Sequence, residues 1–282
     1  MDPAAFLKED LGHGDITSDA LIGDVKASAR IFSKEECILA GLDEATVIFD
    51  HLDVETSTEV KDGQRIEKYT TVLQLRGGAK PILAGERVAL NFLMKMSGIA
   101  TQTNRLLELC RQKNPKVSVA ATRKTTPGFR FFEKKAVKLG GGDPHRYRLD
   151  DAFLIKDNHL KIVGSVTEAL KRAKAGHFNK KVEIEVETEE EALEAAQAGA
   201  DIIMLDNMPP DVGRAMAGKV RAIAPVIIEV SGGINPQNIA DYADYADVIS
   251  LGWITHSVRS VDFSLEFKEL RKRGLLERAS QT

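Results

Sequence analysis

The sequence predicts an α/β protein: a barrel of parallel strands with helical cover, preceded by a smaller α/β sandwich domain. Three observations predict it. From residue 117 onward, apolar runs alternate strictly with helical patterns, as in a parallel sheet linked by crossover helices. The runs VEIEVE, DIIMLD, PVIIEVS and DVISLG read as strands buried on both faces. Glu185, Asp206, Ser231 and Gly252 follow one another at 21, 25 and 21 residues, a regularity that favours a barrel over a doubly wound sheet. No Gly-x-Gly-x-x-Gly follows the first strand, which also counts against a dinucleotide fold. Six strands are readable, short of the eight that close a full barrel.

Taken in order, residues 1–25 open with a helix, PAAFLKEDL, and the loop GHGDITSDALIG. There Asp15 and Thr17 are candidate caps, with plain turn chemistry as the alternative. In residues 26–80, KASARIFSK, STEVKDGQRI and TVLQLRGGA alternate as strands do, around a helix in GLDEATVIFDHL. Residues 82–112 form one long helix, with Val88, Phe92, Met96 and Ile99 at spacings of four, four and three. Arg87 sits near its start, where the dipole disfavours a cation by ~0.3–1 kcal/mol. It is either simply solvated or put to use. The domain boundary is expected at 114–116, giving a first domain of 1–115 and a barrel of 116–282. The barrel strands should end near Lys124, Lys156, Glu187, Asp206, Ser231 and Gly252. Helices are expected in FRFFEKKAVKLG, GSVTEALKRAKAG, TEEEALEAAQAGA, PPDVGRAMAGKVRAIA and NPQNIADYADYA. The tail, SVDFSLEFKELRKRGLLERASQT, reads as an amphipathic helix packing back, with a frayed end.

Composition narrows the function classes. The chain has 282 residues, formal net charge −3 and 43% hydrophobic residues, as an ordinary globular protein does. No apolar run approaches the ~18 residues of a membrane span, and the start lacks an apolar signal core, so a cytoplasmic protein that engages no membrane is expected. Cys37 and Cys110 are too few for a disulfide framework or a zinc site. Mild acidity argues against a general nucleic-acid binder.

Against that acidic background, residues 122–159 carry nine Lys/Arg and five Asp/Glu. Lys134, Lys135 and Lys138 fall in a glycine-capped helix and are expected on its solvated face. Arg123 and Lys124 follow a strand, Lys156 closes another, and Arg146 stands beside His145 in a Gly/Pro loop. Cations at the ends of apolar strands suit an anionic ligand.

In such barrels the carboxyl ends of the strands carry the site. Early strands supply Arg123, Lys124 and Lys156. Middle strands supply Glu185, Glu187 and Asp206. Late strands supply Ser231, Gly232, Gly233 and Gly252, whose backbone N–H groups can approach a phosphate. Each has a plainer reading. Glycines after strands make turns, Asp206 could cap the following helix, and His145 and His159 could be structural. Glu183, Glu185 and Glu187 share one strand face, which in a buried strand is costly unless cations or a metal pair with them. Together, cations, carboxylates for Mg²⁺ or sugar hydroxyls, and a phosphate turn on one rim suggest a doubly charged small acid meeting a phosphorylated sugar.

The segments TRKTTPGFR, EKKAV, GGG, HRY, LIKDNHL, EIEVET, IIMLDN, EVSGGI and DVISLGWITHS resemble the signature segments of the quinolinate phosphoribosyltransferase family, from about Leu11 to about Phe267. The pairing of TRKT with IKDNH is highly specific. The resemblance implies an open-faced sandwich joined to an incomplete, TIM-like barrel of six to seven parallel strands. It implies that quinolinate and phosphoribosyl pyrophosphate give nicotinate mononucleotide, pyrophosphate and CO₂, with Mg²⁺. Arg123, His145 and Arg146 would hold the quinolinate carboxylates. Lys124 and Lys156 would neutralise substrate and pyrophosphate, while Glu185 and Asp206 would bind ribose hydroxyls and metal. These four are the candidate catalytic residues. Ser231, Gly232, Gly233 and Gly252 would cradle the 5′-phosphate. Arg87 would enter the neighbouring subunit's site, making a homodimer obligatory.

Two positions depart from the family's pattern. Arg148 follows HRY where relatives often carry a small or acidic residue. It either adds charge near the site or pairs with Asp150 or Asp151. Ala121 precedes TRKT where an acidic residue is common. Three rivals stand beside this reading. Nicotinate phosphoribosyltransferase takes a monocarboxylate without decarboxylation, and Arg123 with His145–Arg146 suits a dicarboxylate better. A molybdenum-transport-associated paralogue would depart from IKDNH, which is intact at 155–159. An RNA-binding protein using the basic stretch 123–148 is opposed by the net charge.

Overall fold

The computed structural model describes residues 2–175 and 180–272. The chain forms two units. The first comprises residues up to Thr101 together with those from Arg259 on, and the second is Gln102–Val258.

In the first unit a 3₁₀ turn, Pro3–Phe6, leads into helix α1, Leu7–Leu11. Asp15 caps α2, Ile16–Leu21, by accepting from the N–H groups of Thr17 and Ser18. Strands β1 (Val25–Ser33), β2 (Cys37–Ile38), β3 (Glu55–Ser57), β4 (Arg65–Ile66) and β5 (Thr71–Gly78) follow, with α3 (Leu42–His51) between β2 and β3. The main sheet is antiparallel, and Ala27, Ala29, Ile31, Leu73 and Leu75 are buried on it. Helix α4, Ala79–Arg111, starts earlier than the sequence suggests. Arg87 therefore stands more than two turns from its N-terminus, exposed, and the dipole penalty expected for it does not apply.

In the second unit every ladder is parallel. Its strands are β6 (Ser118–Ala120), β7 (Phe153–Ile155), β8 (Val182–Val186), β9 (Ile202–Asp206), β10 (Ile227–Ser231) and β11 (Val248–Ser250). Helices α5 (Arg130–Leu139), α6 (Asp157–Val163), α7 (Val166–Ala175), α8 (Glu189–Gln197), α9 (Pro210–Ile223) and α10 (Trp253–His256) lie between and after them. The sheet order is β6-β11-β10-β9-β8-β7. The two edges, β6 and β7, are consecutive in sequence, so the barrel is open between its first and second strands. A single parallel bridge, Ala120 to Asp143, extends the β6 edge by one residue. The expected incomplete barrel of six to seven strands is therefore what forms.

Three expectations are corrected. The division falls at Thr101–Gln102, inside α4, and not at 114–116. A helix of 33 residues spans about 50 Å, enough to serve both units, and its unbroken apolar pattern hides the change of partner. The NPK segment marks only the end of that helix. The segment NPQNIADYADYA makes a 3₁₀ turn, Ile239–Asp241, instead of a helix. Asn235 accepts from Gln237 N–H, and Asn238 accepts from Asn235 N–H; such local side-chain bonds to the backbone favour turns over helix. The tail forms strand β12, Phe263–Lys272, antiparallel to β1 and at the edge of the order β12-β1-β5-β3. The expected frayed end lies outside the described residues.

Candidate active site

The carboxyl ends of β6–β11 open on a cavity of about 480 Å³. Arg123, Lys124, His145, Arg146, Lys156, Glu185, Asp206, Ser231, Gly232 and Gly233 all line it. Of the remaining candidates, Gly252 stands behind Lys124: a Cβ there would lie 2.9 Å from the Lys124 Cδ. Its absent side chain leaves room for the lysine and for His256. Arg87 belongs to the other unit.

Helix α5 holds the loops that carry Arg123 and Arg146. Glu133, fully buried, accepts from the Thr126 N–H at 3.0 Å and the Thr126 hydroxyl at 2.8 Å, fixing the loop after Arg123 and Lys124. Arg130 donates to the Thr125 hydroxyl at 2.9 Å and to the Tyr147 carbonyl at 3.0 Å, tying that loop to the one carrying His145. Lys134 is not on a solvated face as expected. It is fully buried and donates to the carbonyls of Pro144 and Arg146. Burial, then the neighbouring Arg130, lowers its pKa to about 8. Of the three helix lysines Lys138 is exposed and Lys135 half-buried.

His145 adopts φ +52°, and its N–H donates to Asp143 Oδ1 at 2.6 Å. Its Nε2 lies 3.3 Å from Glu183 and 3.6 Å from Glu229, both buried. Burial opposes an imidazolium, but the two carboxylates outweigh it and push the ring's pKa up to about 10. The Arg146 N–H donates to Nδ1 at 2.8 Å, which puts the ring proton on Nε2, facing the carboxylates. A second ring proton would have to displace that bond. The Glu183 carboxyl, whose pKa burial raises, is the alternative home for the cluster's extra proton. Among the described residues, Arg123 Nε, Glu183 Oε1, Glu229 Oε1 and Ser250 Oγ are buried without a hydrogen-bond partner.

At the ends of β7 and β8, Lys156 Nζ lies 2.5 Å from Glu185. Asp206 ends β9 beside it, its pKa raised by burial and then by the Glu185 charge. Asn207, at φ +54°, donates to Asp206 at 2.5 Å, and its backbone N–H donates to the Ser231 carbonyl at 3.0 Å. Gly232, at φ +87°, sits directly on Asn207. His159 accepts the Lys156 N–H on Nδ1 at 2.9 Å and so caps α6. Arg148 takes the second of its two readings: exposed, it pairs with Asp150 at 3.0 Å and Asp151 at 3.7 Å.

Two hard carboxylates on neighbouring strand ends fit Mg²⁺, which usually takes one or two protein carboxylates and completes its shell with water and substrate phosphate. A cation there would relieve the charge repulsion that raises Asp206. The trio His145, Glu183 and Glu229 also converges within 4.8 Å, but the Nε2 proton faces the carboxylates and leaves no lone pair for a metal.

Comparison with known proteins decides the kinship. Residues 15–97 match the model of the quinolinate phosphoribosyl transferase N-terminal domain, and residues 99–266 match that of its C-terminal domain. The chain belongs to the quinolinate phosphoribosyltransferase family. It is 47% identical over 257 residues to a probable nicotinate-nucleotide pyrophosphorylase [carboxylating] of Archaeoglobus fulgidus, covering 90% of this chain and 98% of that one. Its likeness to the rat nicotinate-nucleotide pyrophosphorylase [carboxylating] is 40% over 247 residues, 86% of this chain and 83% of the relative. The solved nicotinate-nucleotide pyrophosphorylase of Francisella tularensis superposes with TM-score 0.89 at 38% identity, over 94% of each chain.

Sequence reasoning missed several residues that this member of the quinolinate phosphoribosyltransferase family brings to its cavity. Leu154, Met204, Asn207, Glu229 and Ser250 line it, and Glu133 and Lys134 brace it from behind. A signal existed for Glu229: a lone carboxylate inside the apolar run PVIIEVS needs a buried partner. None existed for Lys134, whose acceptors are main-chain carbonyls ten and more residues away.

Proposed function

We propose that this pocket transfers the phosphoribosyl group of phosphoribosyl pyrophosphate to the ring nitrogen of quinolinate, with loss of the adjacent carboxylate as CO₂, giving nicotinate mononucleotide and pyrophosphate. The observation that carries this reading is that one cavity is lined by both a cationic set, Arg123, Lys124, Arg146 and Lys156, and two carboxylates, Glu185 and Asp206, together with His145 and the Ser231–Gly233 turn.

On this reading the Arg123 and Arg146 guanidiniums, with His145, bind the two carboxylates and orient the ring nitrogen toward the ribose. Leu154 and Met204 offer apolar contact to the pyridine. Pyrophosphate departure leaves positive charge on the ribose, which the Glu185 and Asp206 carboxylates stabilise, while Lys124 and Lys156 neutralise the leaving group. Glu185 and Asp206 would hold Mg²⁺, which when bound screens the pyrophosphate charge. Ser231, Gly232 and Gly233 cradle the 5′-phosphate, with Gly252 supporting Lys124. The nitrogen lone pair forms the bond to the ribose carbon. The ring then carries positive charge, which accepts the electron pair released as the C–CO₂ bond breaks, until a proton takes the place of CO₂. We further infer a cytoplasmic homodimer in which Arg87 completes the partner's site. Two buried, free cysteines support a reducing compartment, and no helix among the described residues is long and apolar enough to cross a membrane.

The test supplies the purified protein with quinolinate, phosphoribosyl pyrophosphate and Mg²⁺, and follows CO₂ and nicotinate mononucleotide together, with nicotinate in parallel. Equal amounts of both products, from quinolinate only, are expected. Turnover of nicotinate without CO₂ would move the protein to the sister activity, and turnover of neither would refute the reading.

A further inference from the structure

Among the described residues Lys134 is the one lysine with no solvent exposure, and its hydrogen bonds go to main-chain carbonyls, not to a carboxylate. A buried ammonium bonded only to neutral carbonyls is costly, so its retention calls for a use. Its two acceptors are informative. They are the carbonyls of Pro144 and Arg146, the residues on either side of His145. That residue holds a left-handed backbone conformation, at φ +52°, that a non-glycine side chain adopts only when its surroundings enforce it. The ammonium thus grips the peptide group that enters His145 and the one that leaves Arg146, the two ends of the pair.

The charge itself also lies under the pocket. The groups facing it are Arg130 and Glu133 on its own helix, Asp143, Arg123, Arg146, and Tyr147, whose ring centroid is 5.3 Å from Nζ. Three of these are cations, which oppose the ammonium, while Asp143 favours it. In the free protein burial and Arg130 weigh most against the ammonium, and Arg123 and Arg146, which line the cavity, add their repulsion.

We propose that Lys134 is a positioning residue for dicarboxylate binding, and that binding of the dianion and protonation of Lys134 reinforce one another. This rests on quinolinate being the ligand. A doubly negative molecule between Arg123 and Arg146 cancels the repulsion they exert on Lys134, so the liganded protein holds the proton more tightly than the free one. By linkage, the dianion must then bind the ammonium form better than the amine form. The free protein loses this proton as pH rises through about 8. Affinity is accordingly full below pH 8 and falls above it.

The experiment is calorimetric titration of quinolinate into the whole protein from pH 7 to 9, in two buffers of different ionisation enthalpy. With one proton lost near pH 8 and retained in the complex, the dissociation constant should rise about tenfold across that range, with proton uptake largest at its upper end. Lys134→Arg keeps a charge that does not titrate and should flatten the profile. Lys134→Met should bind weakly at every pH, and if it fails to fold, the wild-type and Lys134→Arg curves still decide. A flat wild-type profile, or an unchanged slope in Lys134→Arg, overturns the proposal. Absence of quinolinate binding at any pH overturns the functional reading on which it rests, and is told apart because the flat-profile outcome requires binding.

Discussion

Gly232→Ala tests whether the turn after β10 is built for close approach. The new methyl would lie 2.3 Å from Asn207 Oδ1, 2.5 Å from its Cγ and 2.6 Å from its backbone nitrogen. The side-chain atoms can swing away only by giving up the 2.5 Å hydrogen bond to Asp206. The backbone contact cannot be relieved by any rotamer; it must stretch the bond from the Asn207 N–H to the Ser231 carbonyl, worth ~0.5–1.5 kcal/mol. The positive φ adds ~1–3 kcal/mol for a non-glycine residue. The total is ~2–4 kcal/mol, or roughly thirty- to a thousandfold in an equilibrium constant. It should divide between stability of the free protein, read by urea unfolding, and the KM for phosphoribosyl pyrophosphate, which rises as Asp206 loses its orienting amide. Gly233→Ala is the internal control. Its φ of +62° carries a similar conformational cost, but a Cβ there meets nothing within 4 Å. Gly232→Ala must therefore be the less stable of the two by at least the hydrogen-bond share. Equal stabilities, or a wild-type KM in Gly232→Ala, would refute the close-approach argument.

Three further outcomes are expected. Arg87→Ala and Lys156→Ala, each inactive alone, should recover part of the activity when mixed and allowed to exchange subunits; no recovery would show that each site is made within one chain. Chelation of Mg²⁺ should abolish turnover while leaving the thermal midpoint of the ligand-free protein within a few degrees, since Glu185 keeps Lys156 as its partner; a collapse of the fold would mean that the carboxylates serve structure first. Phe263→Ala, at a fully packed position of β12, should cost ~3–5 kcal/mol in urea unfolding, whereas a dispensable tail would leave the midpoint unchanged.

How much of this was legible depends on where each residue's partners lie. The barrel strands are buried on both faces, so composition alone marks them, and their ends carry the residues that the pattern singled out. The sheet's opening between β6 and β7 was not legible, because closure depends on whether two edges meet and not on what either is made of. The tail shows a subtler failure. Phe263, Phe267 and Leu270 recur at spacings of four and three, which is the helical signature. The backbone register explains it. Ala29 pairs with Phe267 and Ser28 with Glu269, so Lys268 is an extra residue in the strand. A bulge shifts a period-two pattern by one place and turns it into an apparent 4-3 spacing. The alternation of Phe263, Leu265 and Phe267 before the bulge was the true signal.

Helix α5 carries the same lesson to the site. In RFFEKKAVKL the charges look like an exposed face, and for Lys138 they are. Glu133 and Lys134 are fully buried instead, because each answers a loop from outside the helix: Glu133 the N–H and hydroxyl of Thr126, Lys134 the carbonyls around His145. No period in the helix can encode an acceptor supplied by a loop. Yet the two loops so held are those that bear Arg123 and Arg146. One helix thus fixes both arginines from behind, with one buried charge of each sign, and the spacing of the two guanidiniums becomes a property of α5. A change in the buried face of α5 should therefore alter selectivity between one and two carboxylates before it alters the chemistry of the ribose.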